Sequence, residues 1–238
     1  MSSETGEPQA FRAWMQGMLL AFPIIMGYIP IGIAFGVLAI KAGVSPINSV
    51  FLSLFVYAGS SQLIAIGLIE SQAPTLSIIL TTFIVNLRHL LMSASVSPYL
   101  KGWRMSEVAA FAFQLTDETF AVHSARFASR SWRKAEVFGI NVTAQAGWLL
   151  GTWLGITVGQ FVHDVEPLAL DFALPAMFLA LLVVQVKERK HIMVALISGL
   201  LSVIFLLGGW GKWNVILATF LGATFGVGIE QWTKRQSC

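Results

Sequence analysis

Long apolar runs separated by short polar segments dominate the sequence. Eight such stretches can be distinguished, at residues 14–40, 47–69, 75–98, 107–125, 137–162, 168–186, 191–207 and 215–229. A membrane-spanning helix needs about 20 apolar residues, which most of these stretches supply. Only helices and closed barrels satisfy their backbone in lipid, and these runs are too long and unbroken for barrel strands. The pattern therefore predicts an all-α fold, a polytopic integral membrane helical bundle.

Composition agrees with this pattern. Of 238 residues, 56% are hydrophobic and only 11% are charged, whereas about 25% charged residues are typical of a soluble domain. We expect a single transmembrane domain over residues 13–232, a disordered tail over residues 1–12 on either side of the membrane, and a cytoplasmic tail over residues 233–238. Cys238 is the only cysteine, so a disulfide within the chain is excluded.

Basic residues leave two topologies open. Eight spans with the N-terminus inside place ten bases on inner segments and four on outer ones, as the positive-inside rule requires. If residues 107–125 do not cross, seven spans with the N-terminus outside satisfy the rule as well. Both topologies place the basic block at residues 126–134 and the C-terminus in the cytoplasm.

Glycine and proline interrupt several stretches. The first stretch contains Pro23 and Pro30, which predict either a kinked helix with close neighbours or an unwound segment beside a ligand. The glycine-rich fifth stretch resembles the first, and the second and sixth each contain a break. These similarities suggest an internal pseudo-repeat of two halves with broken helices. In such proteins the substrate binds between the halves, near the membrane midplane.

Polar side chains inside these stretches are the candidate substrate-binding residues, because an amide or hydroxyl at membrane depth needs a partner. The candidates are Tyr57, Ser60, Ser61, Gln62, Asn86 and Gln145. Gln145 belongs to a polar stripe of the fifth stretch. Asn86 shares a helix face with His89 by their spacing.

Ionisable residues inside the stretches are the candidates for proton coupling or buried charge: Arg88, His89, Asp117, Glu118 and Asp171. A charge at mid-depth costs at least ~2.5 kcal/mol, so such residues face a bundle interior or a wet cavity. We expect His89 to face a substrate or proton path. Arg88 lies off that helix face, and we expect it to be a structural cation paired to Asp117, Glu118 or Asp171.

The fourth stretch, residues 107–125, can be interpreted in two ways. It either crosses the membrane or forms an interfacial or re-entrant helix whose carboxylates, Asp117 and Glu118, are wet. Asp171 can also be interpreted as the N-terminal cap of the sixth stretch.

Several activities are excluded or less well supported. The sequence has neither a G-x-x-x-x-G-K-[ST] loop nor an H-E-x-x-H motif. A membrane-embedded metal-dependent enzyme using His89, Asp117, Glu118 and His123 is one alternative, and an ion channel is another. Transport without a cofactor explains more of the pattern, because it accounts for the broken helices and the mid-depth amides together.

Four sequence blocks resemble those of one protein family. They are Gly27-Tyr28-Ile29-Pro30-Ile31-Gly32 with Phe35-Gly36, Tyr57-Ala58-Gly59-Ser60-Ser61-Gln62, Asn86-Leu87-Arg88-His89 and Leu115-Thr116-Asp117-Glu118. In this order they resemble the AzlC family, the large subunit of bacterial branched-chain amino acid exporters. The resemblance covers roughly residues 15–190. It implies export of valine, leucine, isoleucine and methionine across a bacterial inner membrane, with a small AzlD-like membrane partner and no enzymatic activity.

A zwitterionic substrate suggests a binding mode. We expect its carboxylate at Ser60, Ser61 and Gln62, helped by a helix N-terminus. Its ammonium would face Asp117 or Glu118, and its side chain would lie against Phe35, Tyr57 or Trp148. Coupling to proton entry would then require a carboxylate or His89 to change charge.

Overall fold

The fold is helical throughout the part of the chain that the computed structural model describes. This part comprises residues 7–129, 132–161, 189–209 and 214–236, with residues 172, 175, 176, 179, 182, 183, 186 and 188. The chain divides into two compact units, Met1–Met177 and Phe178–Cys238. The predicted all-α membrane fold is confirmed.

The first unit contains seven helices among its described residues. They are α1 (Glu7–Lys41), α2 (Pro46–Phe51), α3 (Gly59–Glu70), α4 (Thr75–Val96), α5 (Met105–Phe113), α6 (Asp117–Ala128) and α7 (Lys134–Gly159). A π-helical turn, Leu52–Val56, continues α2, and a 3-10 turn, Ser97–Leu100, continues α4. By length and composition, the segments Gln9–Lys41, Thr75–Leu100 and, in the second unit, Arg189–Leu207 are suited to crossing a membrane.

Helices α1 and α7 pack in parallel along a seam of glycines. A Cβ on Gly139 would lie 2.6 Å from the carbonyl oxygen of Trp14, and a Cβ on Gly151 would lie 2.7 Å from that of Ile29. The paired positions rise together along both helices, so the helices point the same way. Small residues permit such close approach between membrane helices. The glycines of the fifth stretch therefore serve packing.

Helix α1 is continuous through Pro23 and Pro30. The unwound alternative for the first stretch is thus wrong, since neighbouring helices allow a membrane helix to tolerate proline. The helix also begins earlier than expected, because residues 7–12 of the predicted tail form its first turns, where Pro8 is well tolerated.

Helices α2 and α3 form a hairpin, the first hairpin, rather than one crossing. Ser53 on the arm of α2 contacts Thr152 near the end of α7 at 2.7 Å between hydroxyl oxygens, and the turn reaches Trp148 at Gly59. Helix α3 then runs back beside α4 towards the end where α2 began. Only residues 71–74 connect α3 to α4. With 12 residues, α3 spans about 18 Å, roughly half of the apolar core. The expected second span, residues 47–69, is therefore corrected to a re-entrant hairpin.

The fourth stretch enters from the opposite end. Helix α5 begins beside the start of α7, where Lys134 pairs with Glu107 at 2.6 Å. At its far end the Gln114 Nε2 donates to Gln145 Oε1 in the middle of α7, at 2.8 Å. Helix α5 therefore rises along α7.

Helix α6 returns to the end where α5 began. His123 contacts Asn141 of α7 at 2.7 Å, and Arg126, one turn later, contacts Glu136 at 2.6 Å. Later residues of α6 thus contact earlier residues of α7, so the two helices are antiparallel. The re-entrant alternative for residues 107–125 is therefore the one that the geometry fits, and α5 and α6 form the second hairpin.

A long helix followed by a re-entrant hairpin thus occurs twice in the first unit, in opposite directions. Val96 and Leu100 at the end of α4 pack in one cluster with Val137 at the start of α7, so α4 is antiparallel to α7 and α1. The related elements are α1 with the first hairpin and α4 with the second. The expected pairing of the first and second stretches with the fifth and sixth stays a prediction, because most of residues 162–188 lie outside the described part of the chain.

The second unit contains α8 (Arg189–Leu207) and α9 (Asn214–Gln236). These helices are antiparallel, because Gly222 lies beside Ser198 while Gly226 lies beside Val194. Helix α9 includes residues 233–236 of the predicted C-terminal tail. Asp171 and Cys238 lie outside the described residues.

Candidate functional site

The turns of the two hairpins meet in the middle of the first unit. We call residues 57–60 the first tip and residues 114–118 the second tip. They enclose a cavity of about 20 Å³, the central cavity, which holds about one water molecule. Its lining consists of Tyr28, Tyr57, Ala58, Gly59, Ser60, Arg88, His89, Thr116, Asp117, Glu118 and Trp148.

The first tip presents the N-terminus of α3 to the central cavity. Tyr57 has a left-handed backbone, with φ 43° and ψ 47°, which ends the π-helical turn. Ala58 then caps α3 without a side-chain hydrogen bond to the helix. Unpaired N–H groups at a helix start carry partial positive charge. The first tip therefore offers donors to a negative group.

Ser61 and Gln62 hold the first tip in place and do not line the cavity. Gln62 Oε1 accepts from the Ala58 N–H at 3.1 Å, and its Nε2 donates to Ser53 Oγ at 3.3 Å. Ser61 Oγ donates to the Ala58 carbonyl oxygen at 2.9 Å. The hairpin turn leaves the Ala58 N–H without a helical acceptor, which Gln62 supplies, whereas the Ala58 carbonyl oxygen accepts from the Gln62 N–H as well as from Ser61. The structure thus separates both residues from Ser60, with which the sequence grouped them.

Gln145 is also occupied with backbone and side-chain partners. Its Oε1 accepts from Gln114 of the second tip, and its Nε2 donates to the Leu54 carbonyl oxygen of the first hairpin at 3.1 Å. Asn86 is half-buried on α4 and lies outside the cavity lining. Gln145 and Asn86 were both predicted to bind substrate, but neither lines the central cavity.

The second tip carries the negative charges. Thr116 caps α6 by accepting from the Thr119 N–H at 3.3 Å, and Asp117 and Glu118 follow in the first helical turn. Tyr28 of α1 donates to Glu118 Oε2 at 2.7 Å and lies 2.6 Å from Thr116 Oγ1. The carboxylates are therefore fixed in position beside the cavity.

Arg88 connects the two tips. One terminal nitrogen donates to Ser60 Oγ, and the other forms an ion pair with Asp117. The expected pairing with Asp117 is found, but Arg88 also lines the cavity beside His89. Arg88 thus shares the cavity with His89 although it was expected to lie off the helix face of His89, because its long side chain extends from α4 to both tips. His89 Nε2 is buried and has no hydrogen-bond partner within the described residues.

His123 lies apart from the central cavity. It bonds to Asn141, and its ring stacks on Phe127 at 5.7 Å between centroids. It therefore does not join His89, Asp117 and Glu118. In the described part of the chain, no group of three or more His, Cys, Asp or Glu side chains is arranged to hold a metal ion.

Sequence reasoning missed three residues that shape the site. Tyr28 and Thr116 orient Glu118, and Ser53 receives hydrogen bonds from Gln62 and from Trp148 Nε1, the latter at 3.1 Å. Tyr28 and Thr116 both stand in the sequence blocks quoted above. Ser53 has no such signal, because an isolated serine in an apolar run is common.

Comparison with known proteins places this architecture in a family. The sequence model described as AzlC protein matches residues 23–162. The inner membrane protein YgaZ of Escherichia coli (strain K12) is 32% identical over 212 residues, covering 85% of this chain and 86% of that protein. An uncharacterized membrane protein of Archaeoglobus fulgidus is 33% identical over 210 residues, covering 87% and 91% respectively.

A relative with a named activity is more distant. The branched-chain amino acid transport protein AzlC of Bacillus subtilis (strain 168) is 25% identical over 186 residues, covering 77% of this chain and 72% of that protein. No solved structure matches the chain. The family match includes both hairpins, both tips and Arg88, and with these relatives it establishes that this multi-pass membrane protein belongs to the AzlC family.

Proposed function

We propose that the chain is a transporter that exports branched-chain amino acids through the central cavity. One observation carries this proposal: a single enclosed space has positive groups on the side of the first tip and carboxylates on the side of the second tip. Ser60, Arg88 and the start of α3 form the positive side, and Asp117 and Glu118 form the negative side. A zwitterion is complementary to both. The name of the Bacillus subtilis relative supports this substrate class.

The substrate carboxylate binds at the first tip in this proposal. The start of α3 has no side-chain cap, so its N–H groups and Ser60 Oγ can donate to a carboxylate. Arg88 already reaches this position, and its guanidinium can bind a carboxylate through two nitrogens. Arg88 is therefore a binding group as well as a structural cation.

The ammonium group binds at the second tip, at Asp117 or Glu118. The aliphatic side chain lies against the aromatic wall, where Tyr28 and Trp148 meet edge to face at 5.5 Å between centroids. Phe35 stacks behind Trp148 at 6.0 Å. An apolar, aromatic wall favours valine, leucine, isoleucine and methionine over polar amino acids.

Transport requires the tips to move apart. Sites for small molecules commonly measure about 300–1,000 Å³, and the central cavity of about 20 Å³ is far smaller. The Arg88–Asp117 ion pair occupies the space between the tips. A zwitterion would replace this ion pair with two others, its carboxylate with Arg88 and its ammonium with Asp117. Substrate binding is therefore linked to separation of the two tips.

Export is coupled to proton entry in this proposal. Asp117, Glu118 and His89 all line the same cavity, so a proton and the substrate ammonium compete for one negative site. His89 Nε2, which has no partner among the described residues, provides a second acceptor for the proton.

The orientation follows from the basic residues of the first unit. The end at which α1 and α7 begin carries Arg12, Lys101, Arg104, Arg126, Arg133 and Lys134, whereas the opposite end of the described residues carries Lys41. The positive-inside rule assigns the first end to the cytoplasm. We place the N-terminus inside and treat residues 13–232 as one transport domain. A small AzlD-like membrane subunit completes the transporter, as the family resemblance implies, and would co-purify with the tagged chain.

The test is exchange of labelled leucine in proteoliposomes that contain the chain and its small partner. Unlabelled leucine, valine or isoleucine inside the vesicles should drive uptake of labelled leucine, whereas lysine or glutamate should not. An imposed proton gradient should drive net movement in wild type. Glu118→Gln should lose the response to the gradient, because the variant lacks a carboxyl group that can exchange a proton for the substrate ammonium.

Two results would count against the proposal. Unchanged exchange and unchanged gradient response in Asp117→Asn, Glu118→Gln and His89→Ala would remove the coupling mechanism. Leucine-independent conductance in planar bilayers would favour a channel.

A further inference from the structure

We infer that the first unit contains a second binding site, for the phosphate headgroup of an anionic phospholipid, at the end where α1 and α7 begin. A cavity of about 600 Å³, the arginine cavity, lies there between α1, α6 and α7. Its lining consists of Gln9, Arg12, Ala13, Gln16, Arg126, Trp132, Arg133 and Glu136. This site is separate from the central cavity and does not depend on the proposed transport function.

Positive charge exceeds negative charge in the described lining. Glu136 is its single carboxylate and is only 3% exposed. Arg126 donates to both Glu136 oxygens, from Nε at 2.6 Å and from NH2 at 3.0 Å. Arg133 donates to the neutral Gln9 carbonyl oxygen at 3.4 Å, and among the described residues it forms no ion pair. With Arg12, the lining therefore carries two positive charges beyond the Arg126–Glu136 pair.

Phosphate is the anion that this lining fits best. A planar guanidinium binds two phosphate oxygens at once, and Arg12 and Arg133 both line the cavity. The amides of Gln9 and Gln16 add donors and acceptors for glycerol hydroxyls. A volume of about 600 Å³ lies in the range of sites for small organic ligands.

The surroundings indicate a lipid rather than free phosphate. The neighbouring face of α1 exposes Phe11 (66%), Met15 (42%) and Leu19 (71%). These residues follow the helix away from the cavity and can lie along acyl chains. Trp132 lines the cavity itself, and tryptophan is enriched at headgroup depth. Basic pockets between membrane helices on the cytoplasmic side commonly bind anionic headgroups.

The test measures lipid binding to the purified full-length protein by native mass spectrometry. The probes are dioleoyl phosphatidylglycerol, dioleoyl phosphatidylcholine and inorganic phosphate, each titrated in the same detergent. The test variant is Arg12→Gln/Arg133→Gln. The matched control, Lys101→Gln/Arg104→Gln, removes two charges from the same end of the unit but outside the cavity lining.

We expect the wild type to prefer phosphatidylglycerol. The test variant should bind it about thirtyfold more weakly, because each basic residue near an anionic lipid contributes about a fivefold change. The control variant should bind it as the wild type does. Arg12→Lys/Arg133→Lys, which keeps the charge, should show an intermediate loss and guards against misfolding of the glutamine variant.

Three results would overturn the inference. The first is no preference for phosphatidylglycerol in wild type. The second is an equal loss in the test and control variants, which indicates general surface charge. The third is displacement of phosphatidylglycerol by inorganic phosphate at equal concentration, which indicates a site for the free ion.

Discussion

Arg88 is the residue on which the closed central cavity depends most. Its two terminal nitrogens contact different hairpins, through Ser60 and Asp117. Lysine at this position keeps the charge but has a single nitrogen, so it cannot hold both groups in a fixed geometry. The identity of the cation therefore matters as well as its charge.

Arg88→Lys should fold and should weaken leucine binding by about tenfold, since one charge-assisted hydrogen bond is worth about 1.5–3 kcal/mol. Binding can be measured by isothermal titration with the purified protein. Lys101→Gln, which alters an exposed cation outside the cavity, is the control. Wild-type affinity in Arg88→Lys would show that the guanidinium does not bind the substrate.

Gln62 and Ser60 differ in the role that we predict for each side chain, stability for Gln62 and substrate binding for Ser60. Gln62→Ala should lower the free energy of unfolding by about 1–3 kcal/mol, because the buried Ala58 N–H loses its acceptor. Thermal unfolding of the purified protein measures the change, and the exposed Gln160→Ala is the control. Ser60→Ala should instead reduce substrate binding with little change in stability. A stable Gln62→Ala that fails to bind leucine would reverse these roles.

These residues also mark the limit of sequence reasoning about the site. Depth in an apolar run predicted that Arg88 would pair with Asp117, Glu118 or Asp171, and the structure shows the pair with Asp117. Depth could not distinguish Ser60 from Gln62, two positions later on the same helix. That distinction depends on where the backbone reverses, since the reversal creates the unpaired groups that Gln62 satisfies.

At the level of helices, the α1–α7 seam is the rigid part of the first unit. Most of its glycines meet backbone, as Gly151 meets Ile29, whereas Gly147 meets the side chain of Ile25. Backbone cannot move aside without shifting a whole helix, so the positions that meet backbone tolerate no added carbon. The hairpins pack against this seam through short helices and turns.

Gly151→Ala should lower the free energy of unfolding by about 1–3 kcal/mol, the usual cost of overpacking. Gly27→Ala is the matched control on α1, because a Cβ there meets nothing within 4 Å. Thermal unfolding of the two variants side by side gives the comparison. Equal midpoints would show that the seam is looser than its geometry indicates.

The helical pattern left a re-entrant helix open for residues 107–125, but it did not predict the first hairpin. An apolar run of 23 residues at positions 47–69 has the length of a span, and nothing in its periodicity distinguishes a crossing from a reversal. The reversal at Tyr57 and Ala58 is stabilised by distant residues such as Trp148 and Thr152. Such tertiary contacts are invisible to a local pattern.

For the whole molecule, the re-entrant hairpins determine which loops share a side of the membrane. Lys41 is the last residue of α1, and Ser71 follows α3, so both belong to the same end of the first unit. Lys101 follows α4 and belongs to the opposite end. A crossing at residues 47–69 would separate Lys41 from Ser71.

Single cysteines test this arrangement in a Cys238→Ser background. Lys41→Cys and Ser71→Cys should both react with a membrane-impermeant maleimide added to intact cells. Lys101→Cys should react only after permeabilisation. Labelling of Lys41→Cys without Ser71→Cys in intact cells would refute the first hairpin, and permeabilised cells supply the control for reactivity.

The position of Gln145 has a consequence for how tightly transport is controlled. One amide contacts both hairpins, Gln114 of the second and the Leu54 carbonyl of the first. If both hairpins withdrew together, both halves of this amide would lose their partners, at a cost of about 1–3 kcal/mol for each buried group. We infer that Gln145 couples the two hairpins, so that in the proposed transport cycle their joint withdrawal, which would open a continuous pore, is disfavoured.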